Sequence, residues 1–185
     1  MKKTNWCVIT GAPSSGKTTL INALSIKGYR TEPEVARAYI LYLLAKGEHI
    51  RAHKRGEIAL QKEILNLKIK REIQLPKQEI IFFDRGLPDS LAYYRYYKLD
   101  ENDLLKKMNL CRYKLVFYLE GLPLVTDKIR RESEAEARLI GEHIYKAYSD
   151  LGYQPIRIPP VSVEQRIDII LSEISDLLPH QKLDQ

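Results

Sequence analysis

The segment Gly11-Ala12-Pro13-Ser14-Ser15-Gly16-Lys17-Thr18 places its glycines, lysine and hydroxyl at the spacing of a phosphate-binding loop. Glycines let backbone N–H groups turn inward around a phosphate chain, Lys17 adds a mobile positive charge, and Thr18 offers a hydroxyl to Mg2+. The spacing predicts that Gly11, Pro13, Ser14, Ser15, Gly16, Lys17, Thr18 and Thr19 hold a nucleoside triphosphate. The surroundings agree. The apolar run Trp6-Cys7-Val8-Ile9-Thr10 precedes the loop as a strand, and Thr18 to Lys27 follows it as a helix that stops at Gly28.

Other residues could complete the chemistry. Asp84 follows four apolar residues, Ile80-Ile81-Phe82-Phe83, as the acidic residue of a Walker B strand does, and with Thr18 it is the expected Mg2+ ligand. Arg85 stands where a mechanical ATPase commonly has a glutamate to activate water. That favours transfer to a bound acceptor over hydrolysis. Glu34 and Arg37 fall beyond a short second strand, Tyr29 to Glu32, where a carboxylate can orient or deprotonate an acceptor hydroxyl and an arginine can grip an anionic group. Arg130 and Arg131 lie in the irregular, polar segment from Glu120 to Ala135, which reads as a mobile loop able to close over transferring oxygens.

These residues need a frame that brings them together. Helical periodicity covers Ala38 to Lys46, a longer stretch from Glu57 to Leu75, Ser90 to Leu99, Glu101 to Met108 and Leu139 to Leu151; a last helix opens at Ser162 with Gln165 in capping-box position. Strands are expected at Ile80–Phe83, Leu115–Leu119 and Pro155–Ile158. Strands and helices thus alternate, which predicts an α/β fold with a parallel sheet covered on both faces. Ligands of such sheets collect beyond the carboxyl ends of the strands, where Glu34, Asp84 and Glu120 all fall.

The length of 185 residues suits one domain over 1–185, with a lid at about 121–135 and a frayed tail from about 179 to 185. Cys7 and Cys111 have neither CxxC nor zinc spacing and read as reduced thiols. His49, His53, His143 and His180 form no ligand-like group. A net charge of +6 suits an enzyme that handles polyanionic nucleotides, without itself separating that from nucleic-acid binding. Lys68, Lys70, Arg71 and Lys77, interleaved with Glu63, Glu72 and Glu79, read as a solvated helix face. Tyr93, Tyr94, Tyr96 and Tyr97 read as core contacts with hydroxyls at the edge. No apolar segment has membrane-spanning length, and the expected location is cytoplasmic.

The chain resembles P-loop kinases, and more closely small predicted ATPases of the AAA-domain type related to the ribosylnicotinamide kinase domain of NadR. The resemblance rests on the phosphate loop through Thr19, on Glu34-Val35-Ala36-Arg37, on Asp84-Arg85-Gly86-Leu87-Pro88-Asp89-Ser90 and on Leu151-Gly152-Tyr153. Asp84-Arg85-Gly86 departs from the NadR kinase pattern and is similar to the acidic-Arg pair of deoxynucleoside kinases. The resemblance implies a five-stranded kinase-like sheet in the order 2-3-1-4-5, a lid carrying Arg130 and Arg131, and adenine near Pro159-Pro160-Val161. It also implies acceptor contacts from Glu34, Arg37 and Arg85. The expected activity is ATP- and Mg2+-dependent phosphoryl transfer to a small hydroxyl acceptor, a nucleoside or nucleotide. A nucleotide-dependent switch that hydrolyses ATP or GTP slowly and a polynucleotide-end kinase remain as alternatives, and a homodimer stays open.

Overall fold

In the computed structural model, which describes residues 2–47, 54–108, 111–121 and 133–177, the apolar runs lie at the centre of the molecule. The central sheet holds β2 (Trp6–Gly11), β3 (Arg30–Glu32), β4 (Ile81–Asp84), β6 (Leu115–Leu119) and β7 (Ile156–Ile158), all parallel, in the order β3-β4-β2-β6-β7. Counted along the chain, these five strands follow the expected order 2-3-1-4-5. Register sets Ile9 beside Asp84 and Gly11 beside Leu119. The carboxyl ends of β2 and β6 therefore finish level, and β4 ends two residues short of them. A two-residue pair, β1 (Lys2–Lys3) with β5 (Cys111–Arg112), extends the β2–β6 side and carries no pattern long enough to read in sequence.

Side chains alternate across a strand, so β2 sends Trp6 and Val8 to one face and Cys7 and Ile9 to the other. The first face meets α4 (Leu87–Tyr96), α6 (Glu134–Asp150) and part of α3 (Lys54–Gln74) through Phe83, Leu91, Tyr113, Ile144 and Tyr148. The second meets α1 (Lys17–Ile26) and α7 (Val163–Glu173) through Leu20, Leu24, Phe117, Ile167 and Ile170. Burial on both faces explains why β2 and β4 are uninterrupted apolar runs. Outside this sandwich, α2 (Val35–Ala45) packs on α3 through Ile40, Leu43, Leu60 and Ile64. Helix α5 (Asn102–Lys107) and a 3-10 turn at Ser175–Leu177 complete the described elements.

Helices α2, α3, α4 and α6 begin earlier than periodicity suggests, and at α4 and α6 hydrogen-bonded caps outweigh the apolar pattern. Glu34 is the N-cap of α2. Gly86 precedes α4 and donates its N–H to Asp89 Oδ2 at 3.0 Å, while Pro88 in the first turn needs no N–H partner. Ser133 caps α6, its Oγ accepting from Glu136 N–H at 3.3 Å as Glu136 Oε2 accepts from Ser133 N–H at 2.8 Å. The Ser162–Gln165 box that opens α7 forms as expected. Residues 122–132 and 178–185, hence most of the expected lid with Arg130 and Arg131 and the expected tail, lie outside the described residues.

The solvated face expected on the long helix is overturned at two positions. Lys68 and Glu72 are buried, one turn apart on the side of α3 that faces α4. Lys68 Nζ donates to Gly86 O at 3.0 Å and Ser90 Oγ at 3.2 Å, and Tyr113 OH donates to Glu72 Oε1 at 2.5 Å. Tyr94 is core, as expected, and Tyr93 and Tyr96 pack against the same cluster. Burial pushes the Glu72 carboxyl up from the ordinary 4.5 to about 7, against the lowering pull of Tyr113 and Lys68. Between those two values the folded chain keeps a proton that the unfolded chain releases, so stability falls as pH rises through that window and levels off above about 7. The fall attributable to Glu72 is on the order of 3 kcal/mol. Urea unfolding from pH 4.5 to 8 should show this loss shrinking in Glu72→Gln, and parallel profiles for the two proteins would refute it.

Candidate functional site

The phosphate loop grows from the carboxyl end of β2 and turns directly into α1. Gly11 has φ 141°, and a Cβ there would sit 2.5 Å from Leu119 O on the neighbouring strand, so only glycine fits. Gly16, with φ 88°, is the left-handed N-cap of α1. Lys17 is buried, and its ammonium donates to Ala12 O at 2.6 Å and Ser15 Oγ at 3.1 Å. Its charge thus lies within the loop's own curve. Thr19 is exposed one residue beyond Thr18.

Thr18 Oγ1 donates to Asp84 Oδ2 at 2.8 Å, which brings together the two residues expected to hold Mg2+. Asp84 Oδ1 is buried with no hydrogen-bond partner among the described residues. Burial, then the nearby Glu34 charge, raises the Asp84 carboxyl above its usual range, while Lys17, Arg85 and the Thr18 hydroxyl pull it down. An unpartnered carboxylate oxygen beside a hydroxyl is a hard-oxygen donor set, and these residues fit a Mg2+ ion that takes its other ligands from phosphate and water.

Arg85 joins the two sides of the site. Its backbone adopts φ 70°, costly for a side-chain-bearing residue, and its N–H donates to Ile9 O at 3.1 Å across the strand ends. Its Nε donates to Glu34 Oε1 at 3.0 Å, and its Nη1 to Asp89 Oδ1 at 2.8 Å and to Gly11 O at 3.4 Å. Burial alone would lower the guanidinium; Tyr93, Glu34, Asp89 and Asp84 raise it well above the ordinary arginine range. Glu34 is thereby held at the mouth of the loop, while Arg37 lies half-buried on the first turn of α2. Pro160 is exposed in the turn after β7, on the side of α7 and the phosphate loop.

Two contributors were given no role from the sequence, although Asp89 lies within the Asp84–Ser90 motif. Asp89 is fully buried, accepting from Thr10 Oγ1 at 2.7 Å and Tyr148 OH at 2.7 Å as well as from Arg85 and Gly86. Arg85 and Lys68 hold its carboxyl below the usual range although burial would raise it. The available signal was an acidic residue in the first turn of a helix one turn beyond an arginine. Arg166 is buried on the apolar stripe of α7 beside Ile167 and Ile170, and a charged residue on such a stripe was its signal.

Residues 6–166 match the family model described as AAA domain. The chain belongs to the AAA-domain family. Among solved structures, this family member is similar to deoxyadenosine kinase from M. mycoides with the products dCMP and a flexible dCDP bound, at 18% identity and a TM-score of 0.67, covering 94% of this chain and 100% of that one. It is also similar to the NadR protein in complex with NR, at 18% identity and a TM-score of 0.70, and to NadR with NAD and AMP-PNP, at 18% identity and a TM-score of 0.68. Each NadR comparison covers 98% of this chain and about half of NadR, 54% and 52%. The likeness gives the AAA-domain protein a P-loop kinase fold. No curated protein matches its sequence.

Removing one member of a buried ion pair leaves a stranded charge, which costs about 3–5 kcal/mol, whereas losing one hydrogen bond to a charged group costs about 1.5–3 kcal/mol. Asp89→Ala should therefore destabilise the fold by about 3–5 kcal/mol, and Thr10→Ala by about 1.5–3 kcal/mol. Equilibrium urea unfolding checks both values, and near-equal losses would refute the assignment of Asp89 as the node.

Proposed function

We propose that this AAA-domain protein is a Mg2+-dependent phosphotransferase that moves the γ-phosphoryl group of ATP, with GTP as the alternative donor, to a hydroxyl of a small acceptor, a nucleoside or nucleotide. The observation that carries this reading is the Arg85–Glu34 ion pair at the mouth of the phosphate loop, close to Asp84. A general base sits on the acceptor side, and an arginine occupies the place of a water-activating glutamate. The kinase folds to which this chain is similar support it.

In this reading the backbone N–H groups from Ser14 to Thr19 bind the phosphates and Lys17 turns from Ala12 O and Ser15 Oγ toward the β- and γ-oxygens. Thr18 and Asp84 hold Mg2+, which supplies positive charge to the transferring phosphoryl oxygens. Arg85 and Arg37 orient the acceptor. Its hydroxyl gives its proton to Glu34 as the oxygen bonds to the γ-phosphorus, and the bond to the bridging oxygen breaks to release ADP. Arg130 and Arg131, from the lid, neutralise the equatorial oxygens, and Pro160 borders the donor base. The site belongs to one domain over 1–185. Among the described residues no helix is long and apolar enough to cross a membrane, and the proposed location is cytoplasmic.

With Mg2+-ATP, ADP formation should be strongly stimulated by one class among nucleosides, nucleotides and short 5′-hydroxyl oligonucleotides. Tight ATP binding without stimulation by any of them would favour the slow-hydrolysis switch, and stimulation by oligonucleotides alone would favour a polynucleotide-end kinase. General acid–base contributions are typically 10²–10⁴-fold. Glu34→Gln should lower kcat by about that range while nucleotide affinity stays within about twofold, and Asp84→Asn should abolish Mg2+-dependent turnover with the fold intact. Unchanged kcat in either variant would remove that residue from the mechanism.

A further inference from the structure

Arg166 lies in the first turn of α7 and its guanidinium reaches two carbonyl oxygens from opposite ends of the chain. Its Nη1 donates to Ser15 O in the phosphate loop at 2.8 Å, and its Nε donates to Pro159 O in the turn after β7 at 3.1 Å. The same turn is closed by Val161 N–H donating to Pro159 O at 2.9 Å. Arg166 is 2% exposed, and its Nη2 is buried with no hydrogen-bond partner among the described residues.

A trans peptide is planar, with its C=O and the next N–H pointing in opposite directions. Holding Ser15 O from the α7 side therefore fixes the Gly16 N–H on the side away from Arg166. That peptide is one of the donors a phosphate chain would use. The second bond ties the same rigid fork to the turn that would border the donor base. A leucine or methionine would fill the space without leaving a guanidinium nitrogen stranded. Packing alone does not explain the choice, whereas a planar fork that holds the Ser15 and Pro159 carbonyls together does.

We infer that Arg166 is a positioning residue that couples the base-side turn to the phosphate loop, so that the loop holds a phosphate chain best when the chain carries a nucleoside. It acts through Ser15, Gly16 and Pro159 and discriminates a nucleotide from bare polyphosphate. This rests on reading the loop as a nucleotide donor site.

Calorimetric titration with Mg2+-ATP and with Mg2+-tripolyphosphate, which has no base or ribose, tests the coupling in wild type, Arg166→Met and Arg166→Lys. Wild type should prefer ATP by at least about tenfold, the factor expected from a charged hydrogen bond. Arg166→Met should lose about tenfold or more for ATP and about threefold or less for tripolyphosphate, narrowing the ratio. Arg166→Lys, which keeps the charge without the planar fork, should fall between and carries the test if the methionine variant does not fold. Equal losses for both ligands would overturn the inference, leaving Arg166 as a support of the phosphate loop alone. An unchanged ratio with a lowered Tm would overturn it too, leaving a core staple. Wild type that binds neither ligand would instead remove the donor-site reading, and the inference with it.

Discussion

A single buried carboxylate sets the geometry of the candidate site. Asp89 has no exposure, and desolvating an unpaired carboxylate costs several kcal/mol. The cost is met by saturation: Thr10 and Arg85 donate to one oxygen, Gly86 N–H and Tyr148 to the other. Those donors come from the end of β2, the turn after β4, the start of α4 and the last turns of α6. Each is fixed relative to the others because none can leave without stranding charge. Arg85 has no freedom to relax from its left-handed backbone, and Glu34 is held through it.

That constraint explains how three acidic side chains share a small volume. The Glu34 charge raises the cost of charging Asp84, and Asp84 keeps one oxygen without a partner among the described residues. Lys17 and Arg85 stand on either side and offset the repulsion. The arrangement divides the site. On one side are the loop, Lys17, Thr18 and Asp84, the side proposed for the triphosphate and Mg2+; on the other are Glu34 and Arg85, with Arg37 on the first turn of α2, the side proposed for the acceptor. Arg166 lies beyond the first side, where the loop meets the turn after β7.

The parts of this arrangement that were legible in sequence are those set by neighbours along the chain. Two glycines and a lysine at fixed spacing announce the loop because local φ angles and the helix start decide it. Ile80 to Phe83 announces a strand covered on both faces, and the alternation of strands and helices announces a parallel sheet, whose order was implied only by the resemblance to P-loop kinases. Residues whose importance comes from distant partners were not legible. Asp89 and Lys68 look like ordinary helix-surface charges until α3, α4 and α6 close around them. The α4 start at Leu87 was hidden because the cap is a glycine whose partner is the Asp89 side chain, and the β1–β5 pair is too short to show a period.

The central claim is that the loop is the donor half of a transfer site. A single turnover with γ-labelled ATP, Mg2+ and the acceptor that most stimulates ADP formation tests it most directly, because the label reports where the phosphoryl group goes. The account predicts label in a phosphate ester of the acceptor, in amount equal to the ADP formed. Label recovered only as inorganic phosphate would contradict it.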